Sequence, residues 1–111
     1  MRQQGGGEQA TMTIQQFIIL PVSEKYVDDA RAMLAKLEDM ELRGIIDERS
    51  EKIGRKIRDA ELGKYPFMLI MGEKEVGEGT VSVRRQGAGD MGAMTPEAFA
   101  KMISEEIEKV L

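Results

Sequence analysis

The fold of this chain is decided by residues 49–85, whose sequence is RSEKIGRKIRDAELGKYPFMLIMGEKEVGEGTVSVRR. In the first third of this stretch, apolar residues recur every three or four positions, which predicts an amphipathic helix. The continuous apolar run at 65–72 (YPFMLIMG) predicts a strand that is buried on both faces. The run at 80–85 (TVSVRR) alternates between apolar and polar residues and predicts a half-buried strand. A turn or short helical turn at 73–78 joins the two predicted strands.

The predicted helix has one apolar side and one basic side. Ser50 is its predicted N-cap, because a Ser hydroxyl accepts a hydrogen bond from the free N–H groups of a first helical turn. Ile53, Ile57 and Ala60 lie at helical spacing and form the predicted buried stripe, whereas Arg58 lies near the opposite side. The helix therefore packs against a sheet and presents cations to solvent.

The rest of the chain continues the alternation of strands and helices. The short apolar run at 17–22 (FIILPV) predicts a buried strand, and Ser23 is the predicted cap of the helix that follows it. The segment at 44–48 (GIIDE) predicts a second strand, and the segment at 86–92 (QGAGDMG) predicts a glycine-rich loop. The last helix begins at Pro96, a residue favoured at the first helical position.

The element order is therefore β-α-β-α-β-β-(β)-α. This order favours an α/β sandwich with a mixed, mainly parallel sheet and right-handed crossovers. The length of 111 residues suits one domain, which we place at 16–111, after a flexible leader at 1–15.

The composition excludes several classes of site. The chain has no Cys and no His, so disulfides, Cys or His zinc sites and Ser–His–Asp catalysis are absent. No apolar run approaches the roughly 20 residues that span a bilayer. A cytoplasmic protein without a membrane partner is expected.

The charge is unevenly distributed along the chain. The net charge is −4, yet residues 43–85 hold ten Lys and Arg against eight Asp and Glu. An acidic protein with a mildly basic middle suits contact with a short piece of RNA better than the coating of a long duplex.

Three motifs in this basic middle carry a family resemblance. They are K-I-G-x-K-I-R at 52–58, P-F-M-L-I-x-G-x-K-E at 66–75 and V-x-V-R at 81–84, and they are followed by GDMG at 89–92. Together they resemble the C-terminal anticodon-binding domain of threonyl-tRNA synthetase, a class II aminoacyl-tRNA synthetase, and the resemblance covers 16–111. It implies a five-stranded mixed sheet flanked by three helices, which reads the middle and third anticodon bases of threonine tRNA.

The resemblance also implies which side chains contact RNA. The family's four anticodon-binding positions fall here on Ser50, Arg58, Glu75 and Arg84. Ser50 departs from the family pattern, which usually has Asn there, and a hydroxyl reaches less far and offers fewer donors than an amide. The cations expected to hold the RNA backbone are Arg49, Arg55, Lys56 and Arg85.

The chemistry of two of these residues fits a guanine at the middle anticodon position. A carboxylate such as that of Glu75 accepts from the N1–H and N2–H₂ donors of guanine. The guanidinium of Arg84 donates to the O6 and N7 acceptors on another edge. Unpaired bases in loops are the usual targets of sequence-specific RNA binding. We therefore expect the two side chains to clamp one base.

The expected partners are threonine isoacceptor tRNAs and the catalytic domain of the parent synthetase. The resemblance implies that ATP, Mg²⁺ and zinc belong to that catalytic domain, so we expect no cofactor in this chain and no aminoacylation by it alone.

Three alternatives remain open from the sequence. Arg58 and Arg84 could form ordinary surface ion pairs with Asp59, Glu61 or Asp90. The chain could also be a stand-alone RNA-binding or regulatory protein on the same fold. Finally, it could be a small α/β domain that has lost RNA recognition and binds a nucleotide or a protein.

Overall fold

Strands and helices alternate along most of the chain. The computed structural model describes residues 16–110, and side chains as far as Glu105, so the predicted leader at 1–15 lies outside the described residues. Within them, a short 3-10 turn precedes the first of four helices. The elements are β1 (Phe17–Pro21), α1 (Val27–Asp39), β2 (Gly44–Ile46), α2 (Ile53–Leu62), β3 (Phe67–Met71), α3 (Glu73–Glu78), β4 (Val81–Arg85), β5 (Gly89–Met94) and α4 (Pro96–Val110).

The strands form one mixed sheet in the order β2-β1-β3-β4-β5. β1 pairs in parallel with β2 and with β3, whereas β4 is antiparallel to β3 and to β5. The predicted mixed sheet is confirmed, with parallel and antiparallel pairs in equal number. The connections from β3 to β4 and from β4 to β5 are too short for the crossover that parallel neighbours need, so these two pairs are antiparallel.

The two faces of the sheet are covered unequally. On the first face, α1 and α4 pack over the main core, and the Phe99 ring lies edge-on to Phe17 and Phe67 at centroid distances of 5.7 and 5.5 Å. On the second face, α2 packs over a smaller cluster that includes Ala60 and Met68. The result is the expected three-layer sandwich, and α2 is the one helix of residues 16–105 that contributes to the second cluster.

The predicted start of α2 was wrong by two residues. The helix begins at Ile53, after Lys52 in the capping position, and Ser50 makes no cap contact. The Ser50 hydroxyl instead donates to the Glu24 carboxylate. β2 also ends at Ile46, two residues earlier than predicted, because the following residues form a loop in which the Asp47 carboxylate accepts from a backbone N–H.

The glycine-rich segment at 86–92 is a hairpin rather than a loop alone. β5 begins at Gly89 and pairs with β4, and the register shifts after Val83 so that one extra residue of β5 is accommodated. Gly89 and Gly92 both have a φ of +89°, in the left-handed region that other residues rarely adopt. These glycines therefore serve a turn and a bulge, which sequence patterns do not separate from a loop.

A search of the described residues finds no helix that is both long and apolar enough to cross a membrane.

Candidate nucleic-acid interface

The candidate interface lies on the part of the second sheet face that β4 and β5 contribute. Val81 and Val83 of β4 point into the main core, so the alternating residues Ser82 and Arg84 point to the opposite face. Arg84 is paired across the sheet with Met68, which belongs to the cluster under α2. Ser82 and Arg84 remain partly exposed, so this face is accessible to a ligand.

Glu75 is held at the carboxyl end of β3 by two hydrogen bonds. Its Oε1 accepts from the backbone N–H of Gly72 at 2.9 Å, and its Oε2 accepts from the Ser82 hydroxyl at 2.8 Å. The first bond fixes the start of α3, as a Glu at the third helical position commonly does. The second joins Glu75 to the face of β4 that also bears Arg84, so the carboxylate and the guanidinium belong to one side of the sheet.

The carboxylate of Glu75 is stabilised in its charged form. Partial burial raises its pKa, but the hydrogen bonds from Ser82 and from the Gly72 N–H, together with the charge of Lys74, outweigh this effect and leave the pKa below its ordinary value. Glu75 is therefore an acceptor at neutral pH.

Arg84 has an unsatisfied donor. Its Nε is buried and has no hydrogen-bond partner among the described residues. The ion pairs found in the same part of the chain do not include Arg84 or Arg58. The surface pairs considered as an alternative are thus not formed. A buried donor without a partner is unfavourable.

Ser50 lies in the loop after β2, at the carboxyl ends of the parallel strands. It lines a surface cavity of about 450 Å³. β1 separates β2 from β3, so the strands that lead to Ser50 and to Glu75 are about 10 Å apart at ordinary strand spacing. Ligands of open α/β sheets bind outside such strand ends. The residues around the cavity are Val22, Ser23, Glu24, Arg49, Ser50, Glu51 and Lys52.

Lys56 is a correction to the predicted interface. Its side chain is only 1% exposed, and its Nζ donates to the backbone carbonyl oxygens of Pro21 at 2.9 Å and Asp47 at 3.3 Å. It cannot reach a phosphate in this position. Lys56 lies three residues after Ile53 and four before Ala60, so it is on the buried stripe of α2. This spacing could have predicted its burial from the sequence.

The two adjacent arginines of β4 point to opposite faces. The Arg85 guanidinium carbon lies 5.5 Å from the centroid of the Phe67 ring, on the first face of the sheet. Arg84 is on the second. Successive strand residues alternate in this way, so Arg85 does not share a surface with Arg84, and its predicted RNA contact remains a prediction for another part of the molecule.

Arg49 and Arg55 are tied to carboxylates. Arg49 Nη2 lies 2.7 Å from Asp47 Oδ2 and 2.9 Å from Asp59 Oδ2, and Arg55 Nε lies 3.7 Å from Asp59 Oδ2. The hydrogen bond from Arg49 lowers the pKa of Asp47 against the opposing effect of burial. Both arginines remain largely exposed, and their contact with RNA backbone is untested by these distances.

Sequence analysis did not predict two side chains that contact the predicted site residues. Ser82 binds Glu75, and Glu24 binds Ser50. The first could have been found, because Ser82 and Arg84 share one face of an alternating strand. The second joins residues 26 positions apart through two loops, and no local pattern indicates it.

Comparison with known proteins identifies a family over nearly all of the described fold. Residues 16–106 match the family model described as an anticodon binding domain. The chain is 51% identical over 100 residues to a threonine–tRNA ligase of Bacteroides thetaiotaomicron and 52% identical over 99 residues to that of Flavobacterium johnsoniae. These matches cover 90% and 87% of this chain but only 16% and 15% of the ligases.

A solved structure agrees with this match. The RNA binding domain of threonyl-tRNA synthetase from Cryptosporidium parvum superposes with a TM-score of 0.76 and 26% identity. The superposition covers 82% of this chain and 23% of the other. The similarity therefore extends to the three-dimensional fold.

Proposed function

Because this chain belongs to the anticodon-binding domain family, we propose that it binds the anticodon loop of threonine tRNA and reads its middle and third bases. The observation that carries the proposal is the placement of Glu75 and Arg84 on one accessible sheet face, where the Glu75 carboxylate is an ionised acceptor and the Arg84 guanidinium makes no ion pair among the described residues. The threonine assignment is supported by the threonine–tRNA ligases to which the chain is about 50% identical.

The middle base is guanine in this proposal. The lone pairs of Glu75 that Gly72 and Ser82 leave free accept from guanine N1–H and N2–H₂, and Arg84 donates to O6 and N7. Arg58, which is exposed on α2 and makes no ion pair among the described residues, binds the adjacent part of the loop.

Ser50 reads the third base. Its single hydroxyl hydrogen is donated to Glu24, so Ser50 offers an acceptor to RNA rather than a donor. A short side chain in this geometry suits a water-bridged contact. We therefore expect discrimination at the third base to be weaker than at the middle base.

Aminoacylation belongs to the larger protein in this proposal. The chain spans about one sixth of the length of the curated relatives that it matches, and we assign ATP, Mg²⁺ and zinc to the catalytic part of such ligases. The purified chain of residues 1–111 should form no threonyl-tRNA. In the cell, we expect the domain to act in the cytoplasm together with the catalytic part of the ligase.

Titration of the chain with the anticodon stem-loop of threonine tRNA tests the proposal. We expect tighter binding of the native loop than of a loop whose middle guanine is replaced by adenine. Equal binding of the two loops would refute base reading and favour a domain that has lost RNA recognition.

Base analogues then separate the roles of the two residues. Arg84→Ala should lose its preference for guanine over 7-deazaguanine, which lacks the N7 acceptor. Arg43→Ala is the matched control, because Arg43 is an exposed arginine directly before β2, at the other end of the parallel strands. Each lost bidentate contact corresponds to about 1–3 kcal/mol of discrimination if the values for DNA transfer.

A further inference from the structure

The hydrogen bond between Ser82 and Glu75 lies inside the proposed base-reading site. It links α3 to β4 over seven residues and measures 2.8 Å between Ser82 Oγ and Glu75 Oε2. Ser82 is flanked across the sheet by Ile70 on β3 and Ala93 on β5. Neither neighbour has a polar side chain that could take over the bond.

The bond decides which way the carboxylate faces. The bond from the Gly72 N–H to Oε1 alone leaves the carboxylate free to turn about its terminal torsion, which is a broad and weakly restricted rotation. A second bond to Oε2, from a strand residue whose position the sheet fixes, holds both oxygens. An ionised carboxylate has about four lone-pair sites, so two remain for a ligand after both internal bonds are made.

The geometry also gives Ser82 a defined polarity. A Ser hydroxyl has one hydrogen, and here that hydrogen is donated to Glu75. The hydroxyl therefore cannot donate to a base at the same time. Any effect of this hydrogen on a bound base therefore passes through the orientation and charge of Glu75.

We propose that Ser82 is a positioning residue that fixes the Glu75 carboxylate toward the donor edge of the middle anticodon base and thereby sets discrimination at that base. The inference rests on the proposed function. A preorganised acceptor binds the donors that it faces more tightly because less freedom is lost on binding. In this role Ser82 acts on selectivity through Glu75 and not by donating to the base.

The test compares Ser82→Ala with Ser82→Thr, which keeps the hydroxyl. Each variant is titrated with a stem-loop that carries guanine at the middle position and with one that carries inosine, which lacks the N2 amino group. We expect Ser82→Ala to reduce the guanine-to-inosine affinity ratio about tenfold, the loss of one charge-assisted hydrogen bond. Ser82→Thr should restore most of the ratio.

Thr80→Val is the matched control. Thr80 also bears a hydroxyl, two residues before Ser82, but its Oγ1 is buried and has no hydrogen-bond partner in the described part of the chain. Removing this hydroxyl should leave the affinity ratio unchanged. Thermal unfolding of all three variants establishes that each is folded.

A second readout does not depend on RNA. Carboxyl NMR titration of the free chain should show that the pKa of Glu75 rises in Ser82→Ala and not in Thr80→Val, because a hydrogen bond to the charged form has been lost. A structural role of Ser82 elsewhere in the sheet would not move this value.

The outcomes separate the two proposals. If the unaltered chain prefers guanine over adenine but Ser82→Ala keeps the guanine-to-inosine ratio, the role of Ser82 is refuted and anticodon reading stands. If the unaltered chain shows no base preference, both proposals fail together. A shifted pKa with an unchanged ratio also refutes the role in selectivity.

Discussion

At the scale of single residues, Lys56 shows that a lysine in a basic motif can form hydrogen bonds inside the domain instead of contacting a ligand. Its ammonium group bridges the carbonyl oxygens of Pro21 and Asp47, which belong to the end of β1 and to the loop after β2. It therefore holds together the strand ends beside which Ser50 lies. Burial of a charged group is tolerated only with such partners.

Lys56→Met should destabilise the domain and should not act through phosphate binding. The substitution leaves two carbonyl oxygens without their donor, and each buried acceptor left in this way costs about 1–3 kcal/mol. Urea unfolding measures the loss. Lys101→Ala on the exposed side of α4 is the control and should change stability by less than about 0.5 kcal/mol. A stable Lys56→Met with weakened RNA binding would contradict this interpretation.

Glu75 should make stability depend on pH in the acid range. Its pKa is lowered in the folded state from an ordinary value of 4.5, so its contribution is complete above about pH 4.5 and is lost as the pH falls through the folded-state pKa. The unfolding free energy should therefore decline less steeply between pH 5 and 3 in Glu75→Gln than in the unaltered chain, and the difference in slope should correspond to at most one proton.

Urea titrations at several pH values measure that slope. Glu73→Gln, an exposed carboxylate at the first position of the same helix, is the matched control. Parallel slopes for Glu75→Gln and the unaltered chain would show that the hydrogen bonds to Glu75 do not favour its ionised form.

At the scale of elements, periodicity predicted the packing of α2 better than its start, whereas the start of α4 at Pro96 was predicted correctly. The stripe of Ile53, Ile57 and Ala60 lies against the sheet as predicted, because the spacing of apolar residues states directly which side is buried. The N-cap was misplaced because Ser50 has an alternative partner in Glu24, and competition between local and distant hydrogen bonds is invisible in a local pattern.

Two glycines should respond in opposite ways to alanine. Gly54 lies inside α2 and Gly92 in β5 at a φ of +89°, and a Cβ at either position would meet no atom within 4 Å. Gly54→Ala should stabilise by about 0.5–1 kcal/mol through helix propensity. Gly92→Ala should destabilise by about 1–2 kcal/mol through backbone strain alone. Thermal unfolding of the pair measures both, and a destabilised Gly54→Ala would show that contacts, not propensity, govern that position.

At the scale of the whole molecule, the candidate site depends on how the sheet is covered. The alternation of strands and helices predicted the layers, and the family resemblance predicted five strands. Neither predicted which partner each interface residue has, since Glu75, Arg85 and Lys56 all depend on contacts between separate elements. The residue types therefore predicted the site, and the fold determined which of the predicted cations are accessible to a ligand.

The salt dependence of RNA binding should be shallow. Lys56 is buried, and Arg49 and Arg55 are paired with acidic side chains, so few cations are available to displace counterions from the loop. Two or three phosphate contacts on a single strand give a slope of about −2 in log affinity against log salt. Anisotropy titrations across a salt series measure it, and a slope near −5 would indicate a larger basic surface than these residues provide.

The back-to-back arrangement along β4 separates two kinds of selection. Val81 and Val83 pack in the main core, whereas Ser82 and Arg84, interleaved with them, lie on the opposite face of the sheet, where they are partly exposed. Changes at Ser82 or Arg84 do not alter the volume that Val81 and Val83 fill in the core. Evolution can therefore change what the surface binds through substitutions at the outward positions, while the inward valines of the same five-residue strand continue to pack in the core.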